Sequence, residues 1–257
     1  MLSATQITSG TTKQTLVLLH GAGCTKHVWP KIPPPAFTQN NSTHSQQSPG
    51  IVAIDLPGHG DSEQSTDMSM DGYTKAVWSW IQQQGFENLY LCGHSMGGAI
   101  AQQLTYLYPT QIKGAVLLNT GAKLKTNPDF IEQISKVHSR QQAIDSIIKL
   151  STFNTENTTA SNTVADMFNN TKPEVLLQDL RNCNQIDNME HIKDIHIPAL
   201  IITGDHDQLA LPHYSDYLHQ HIKNSQLKIF DQCGHFSMLE YPKQFWDAIF
   251  AWLNGLE

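Results

Sequence analysis

Between Leu89 and Pro109 the chain reads LYLCGHSMGGAIAQQLTYLYP. An apolar run breaks at Gly93-His94-Ser95-Met96-Gly97, and an apolar stripe of helical spacing begins at once. Few backbone geometries accept a single serine there with a glycine two residues to either side. A strand that turns into a helix within so short a space forces the serine into a strained conformation and crowds its neighbours, and small flanking residues relieve the crowding. The serine oxygen then projects above the sheet. The positive end of the following helix points to the same spot, and the Met96 N–H is left free to bind an anion. The stretch reads as an exposed nucleophile beside ready-made anion stabilisation.

The rest of the chain supplies a setting for such a turn. Short apolar runs, rich in β-branched residues, stand at 15–19, 51–54, 89–92, 115–118, 199–203 and 226–230. Near-continuous apolar runs suit strands buried on both faces of a parallel sheet. Between them lie amphipathic helices. Tyr73, Ala76, Val77, Trp80 and Ile81 keep the spacing i, i+3, i+4, i+7, i+8, and Phe245, Ala248, Ile249, Trp252 and Leu253 repeat it. Alternation of this kind predicts an α/β fold with a doubly wound, mostly parallel sheet.

Two segments interrupt the alternation. The proline- and Asn/Gln/Ser-rich stretch 30–50 reads as an irregular surface loop. Residues 121–193 carry helical patterns and no convincing strand, which predicts a helical cap inserted into a core made of 1–120 and 194–257. A helical insertion at the carboxyl edge of the sheet sits over any site built there.

Composition narrows the partners. The 257 residues carry a net charge of −7 with no basic cluster, which argues against nucleic-acid and anionic-membrane partners. No window approaches the ~18 continuous apolar residues of a membrane span. The opening MLSATQITSG has neither a charged stretch nor an apolar core, so a cytoplasmic location is expected. Cys24, Cys92, Cys183 and Cys233 stand far apart without CxxC spacing, the pattern of buried free thiols.

A serine hydroxyl needs a base. His235, just past the last strand in IFDQCGHFSMLEYP, is placed to lean toward Ser95. The base in turn needs an anion to hold its tautomer. LIITGDHDQ offers both Asp205 and Asp207, and periodicity does not choose between them. Asn119, at the end of an earlier strand, is neutral and a poor candidate for that role. The Asp-His-Asp spacing has no further ligand cluster beside it, so a metal site is not expected. LLHGAG (18–23) supplies a second anion donor, the Ala22 N–H, to partner that of Met96. His20, His59 and Ser62 read as loop architecture.

Taken together, LLHGAG, VAIDLPGHGDS, LCGHSMGG, LIITGDHD and CGHF, in that order along nearly the whole chain, resemble the α/β-hydrolase fold superfamily, most closely small capped bacterial carboxylesterases and enol-lactonases. The resemblance implies Ser95 as nucleophile, His235 as base and Asp207 as the acid. It also implies Ala22 and Met96 as oxyanion donors and no cofactor. Relatives that displace halide or open epoxides carry a carboxylate at the elbow; Ser95 favours acyl transfer instead. The expected substrate is a small, mostly apolar carboxylic ester, in a pocket lined by Trp29, Phe130, Phe153, Phe168, Leu209 and Phe236. The same triad serves lactone or C–C bond hydrolysis, perhydrolysis and elimination, and the fold also serves as a small-molecule receptor. Two departures stand out. The 30–50 stretch replaces a regular helix, and the short N-terminal segment leaves little for opening antiparallel strands.

Overall fold

Every apolar run becomes a strand. In the computed structural model, which describes residues 1–10, 13–32, 49–154 and 158–256, these are β2 (Gln14–Leu19), β3 (Gly50–Ile54), β4 (Asn88–His94), β5 (Ile112–Leu118), β6 (Ala199–Gly204) and β7 (Ser225–Phe230), preceded by β1 (Ala4–Thr8). They form one seven-stranded sheet in the order β1-β3-β2-β4-β5-β6-β7. All neighbours are parallel except β1, which runs antiparallel to β3.

β1 corrects the expectation drawn from the short N-terminus. Its residues, ATQIT, are exposed or half-buried at the sheet edge, so no apolar run marks it, and its backbone pairing with β3 alone makes it a strand.

On the central strands, side chains alternate between two cores. Leu16, Leu18, Tyr90, Cys92, Val116 and Leu118 face one side; Val17, Leu19, Leu89, Leu91, Ala115 and Leu117 face the other. Among the described residues the helices are α1 (Met70–Gln84), α2 (Met96–Leu107), α3 (Pro128–Ser135), α4 (Arg140–Ser151), α5 (Thr159–Asn170), α6 (Pro173–Gln185), α7 (Pro212–His221), α8 (Ser237–Glu240) and α9 (Pro242–Asn254). α9 seals the first core with Phe245, Trp246, Ile249 and Trp252, while α1 and α2 seal the second with Tyr73, Val77, Ile100 and Leu104. Each such side chain contributes about 1.5–3 kcal/mol by leaving water.

Two features of this layout position a site. β3 lies on one side of β2 and β4 on the other, so the strand order reverses between β2 and β4 and a crevice opens at their carboxyl ends. Helices α3 to α6 all fall between β5 and β6, and this insert packs its apolar side chains, Ile134, Ile147, Val164, Phe168 and Leu176, into the core shared with α9. At its neck Lys123 and Asp187 form a β-bridge and an ion pair. The irregular loop expected over 30–50 falls largely on residues outside the described ones. All four cysteines are free and buried. Among the described residues no helix is long and apolar enough to cross a membrane.

Candidate active site

The elbow is strained as its sequence implies. Ser95 sits between β4 and α2 at φ 53° and ψ −116°, a left-handed conformation that costs a non-glycine residue on the order of 1–3 kcal/mol. The surroundings hold it there. Ser95 N–H donates to Leu118 O at 2.9 Å, and Ser95 O accepts from Thr120 Oγ1 at 2.8 Å and Gly98 N–H at 2.9 Å. A side chain on Gly93 would put its Cβ 2.2 Å from Gly97 O, and one on Gly97 would meet Leu19 O at the same distance. Neither glycine is replaceable without opening the turn. Met96 opens α2, where the first N–H groups have no acceptor within the helix.

The two acids separate cleanly. Asp207 is buried, and its Oδ2 and Oδ1 lie 2.8 and 3.0 Å from His235 Nδ1. Three further donors surround the carboxylate: Leu209 N–H at 2.9 Å, Ala210 N–H at 2.8 Å and Asn119 Nδ2 at 3.0 Å. Asp205 faces outward instead, with its side chain 32% exposed, and accepts from His206 Nδ1 and Cys233 N–H. With Nδ1–H donating to Asp207, His235 keeps a lone pair on Nε2.

Asn119 and His94 take part in ways no motif announces. Asn119 stands at φ 45° just past β5, donates to both Asp207 and Gly234 O, and accepts from Ser237 Oγ at 2.7 Å. The only signal for it was its place at a strand end. His94 donates from Nε2 to His235 O at 2.9 Å, bracing the loop that carries the imidazole. Burial, and after it the neighbouring His235, hold His94 well below the ordinary histidine range, so it stays neutral. Its Nδ1 is buried without a partner.

A cavity of about 330 Å³ opens over these groups. Ala22, His94, Ser95, His235 and Phe236 form its base; Leu124, Phe130, Ile147, Leu150, Phe168 and Leu180 of the insert form an apolar wall; Leu209 and Tyr214 close another side. Of the residues expected to line a pocket, Phe130, Phe168, Leu209 and Phe236 do so. Trp29 and Phe153 do not. Trp29 follows a short turn at Lys26–Val28 and stacks on Phe245 of α9, 6.0 Å between ring centres, inside the core. Phe153 follows α4 as a residue 43% exposed, its ring edge-on to His206, while Glu240 accepts its backbone N–H. His20 and Ser62 are loop braces. His20 bonds Gly21 O and accepts Leu56 N–H, and Ser62 bonds Asp55 O.

Comparison with known proteins agrees with this layout. A family model described as alpha/beta hydrolase fold matches residues 14–242. A pimeloyl-[acyl-carrier protein] methyl ester esterase from Neisseria meningitidis serogroup C is 23% identical over 242 residues, covering 89% of each chain. A thermophilic esterase superposes with a TM-score of 0.81 at 25% identity, over 100% of this chain and 99% of its own. The enol-lactonase from Burkholderia xenovorans LB400 superposes with a TM-score of 0.83 at 21% identity, over 98% and 96%.

Proposed function

The chain belongs to the α/β-hydrolase fold family, and from that premise we propose that it is a serine hydrolase that cleaves small, mostly apolar carboxylic esters through an acyl-enzyme. One observation carries the reading. Ser95, in its strained turn, and His235, anchored on Asp207, line a single cavity. The esterases among its relatives support the reaction class.

The chemistry follows from the placement. His235 Nε2 takes the proton of Ser95 Oγ as the oxygen attacks the ester carbonyl, and Asp207 stabilises the imidazolium that results. The negative charge on the carbonyl oxygen rests on the N–H groups of Ala22 and Met96, each worth about 3 kcal/mol of barrier. The tetrahedral carbon then expels the alkoxide, which leaves with the proton held on Nε2. Water, deprotonated by His235, hydrolyses the acyl-Ser95 and restores the hydroxyl. Among the described residues no hydrogen bond joins Ser95 Oγ to the imidazole; the proposed step needs that contact in the substrate complex, where catalytic hydrogen bonds tighten.

Residues 121–193 act as the cap. Their apolar wall and a volume near 330 Å³ suit a compact acyl group and exclude water from the carbonyl. Replacing Ser95 with alanine tests the whole scheme. Hydrolysis of a short-chain aryl ester by Ser95→Ala falls by about 10⁴-fold or more; turnover persisting in the purified variant refutes the reading.

A further inference from the structure

A second buried carboxylate lies outside the triad and reaches the loop that carries the proposed oxyanion donor Ala22. Asp179, on α6 of the insert, is fully buried and accepts three hydrogen bonds. Gly23 N–H donates at 2.9 Å and His59 Nε2 at 2.7 Å, both to Oδ2; the Tyr73 hydroxyl donates at 3.0 Å to Oδ1. Gly23 directly follows Ala22, the proposed oxyanion donor. The insert also grips Gly23 on its other side, where Thr171 Oγ1 donates to Gly23 O at 2.8 Å. Gly23 stands at φ +66° with Leu176 and Phe168 so close that a Cβ would fall 2.9 and 3.2 Å from them. Both polar groups of this one residue are therefore held by the insert, none by the sheet.

His59 makes the clamp rigid. Its Nε2 faces Asp179 and its Nδ1 faces Pro57 O at 3.1 Å, so both ring nitrogens point at acceptors and the imidazolium is the form that satisfies them. Burial works against that charge. The charge and hydrogen bond of Asp179, with Pro57 O and the charge of Asp55, together outweigh burial and hold His59 above the ordinary histidine range.

We infer that Asp179 is a positioning residue that couples seating of the helical insert to the orientation of the oxyanion loop, through its bond to the Gly23 N–H. Asp179 holds the Ala22–Gly23 peptide by its N–H, and Thr171 holds the Gly23–Cys24 peptide by its carbonyl. The N–H of that second peptide donates to Gly21 O at 3.2 Å, the carbonyl of the very peptide that carries the Ala22 N–H, so docking of the insert helps His20 to aim that N–H at the carbonyl oxygen. The inference rests on the serine-hydrolase reading and adds a second requirement to it. An error of about 1 Å in such a group costs on the order of 10²-fold in rate.

The test is steady-state hydrolysis of a short-chain aryl ester, paired with inhibition by a trifluoromethyl ketone, whose serine adduct carries the oxyanion. In Asp179→Ala, kcat falls about 30- to 100-fold, KM moves less than about threefold, and ketone affinity drops in parallel with kcat/KM. Asp179→Asn rescues most of the rate. Its amide oxygen still serves Gly23 and His59, and its NH₂ faces the Tyr73 oxygen, which accepts as readily as it donates. Undiminished turnover in folded Asp179→Ala, unchanged ketone affinity, or an Asn variant as damaged as Ala overturns the clamp. Should Asp179→Ala fail to fold, Asp179→Asn and Thr171→Val decide. The second removes the hydroxyl that faces Gly23 O at 2.8 Å and the α5 carbonyl Met167 O at 2.9 Å, and lowers kcat several-fold with the same ketone signature; wild-type kinetics there overturn the clamp. Turnover surviving in Ser95→Ala overturns the serine-hydrolase reading and the clamp together, whereas an essential Ser95 with an indifferent Asp179 overturns the clamp alone.

Discussion

Two buried carboxylates support the proposed site, alike in surroundings and opposite in what they join. Asp207 meets His235 at 2.8 Å and Asp179 meets His59 at 2.7 Å, and each also accepts from backbone N–H. The partners of Asp207 all come from the carboxyl edge of the sheet: the ends of β5 and β6 and the loop after β7. The partners of Asp179 all come from the core, while Asp179 itself stands on the insert. One carboxylate therefore bonds within the core and the other across the join between core and insert. On the proposed mechanism the Asp207–His235 pair is set within the core, while the oxyanion loop, held at Gly21 O by His20 and Cys24 N–H, is braced by the docked insert as well.

The sharpest way to break that contrast, after Ser95 itself, is Asp207→Asn. Every partner of Asp207 is a donor, so an amide there leaves one N–H facing another, and the imidazolium loses its counter-charge. kcat falls by about 10³- to 10⁴-fold, measured on the same aryl ester with folding checked by circular dichroism. The same substitution at Asp179 is mild because Tyr73 has a hydroxyl that reverses its role. Equal losses from the two Asn variants erase the distinction between preset and docked halves. Next in size comes the Asp179→Ala loss of about 30- to 100-fold, two orders below that of Ser95→Ala.

The sequence exposes the first carboxylate and conceals the second for one physical reason. Asp207 and Ser95 each follow a strand buried on both faces, and His235 follows the half-exposed edge strand β7; all three strands write apolar stretches that locate the sheet edge by chain order alone. Asp179 sits mid-helix in a stretch whose only pattern is amphipathic, and its partners lie 156, 120 and 106 residues away. His59 reads as loop architecture in the sequence, which it is, but the carboxylate beside it is invisible in DLPGHGDS. The pocket shows the same limit. Apolar spacing puts Phe130 on an inward face of the insert, where it is half-buried, yet cannot tell that Trp29 turns into the core or that Phe153 turns outward. β1 escaped because an edge strand needs no apolar run.

A pH series sharpens the comparison at smaller amplitude. His59 is raised in the folded state, so its ion pair with Asp179 stabilises the protein fully below the ordinary histidine value of about 6.5, and that contribution is lost as pH rises through the higher folded value. The other groups facing it do not compete for the proton. The His20 ring, 4.8 Å away, is pushed down to about 3 by burial and by His59 itself; Tyr73 is raised by burial and Asp179 and stays a phenol; Asp55 lies in an ion pair with Lys26. The melting temperature of the wild type accordingly falls a few degrees on the alkaline side. In Asp179→Asn, which cannot support the imidazolium, that slope disappears. A slope that survives the substitution assigns it to another group.

The smallest effect tests whether the base side is as independent of the insert as the contrast requires. Glu240 of α8 accepts Gly234 N–H at 2.9 Å and Phe153 N–H at 2.8 Å, and so ties the His235 loop to the end of α4. Burial raises its carboxyl in spite of these bonds. The imidazole has other anchors, however: Asp207 on Nδ1 and His94 on the His235 carbonyl from the core, and, from the insert, Ser151 O at the end of α4 on the His235 N–H. With three supports remaining, Glu240→Gln changes kcat by no more than about threefold, since one amide oxygen still serves one of the two N–H groups. A loss matching that of Asp179→Ala would place both halves of the site under the insert's control, and the base would then be no more preset than the oxyanion loop.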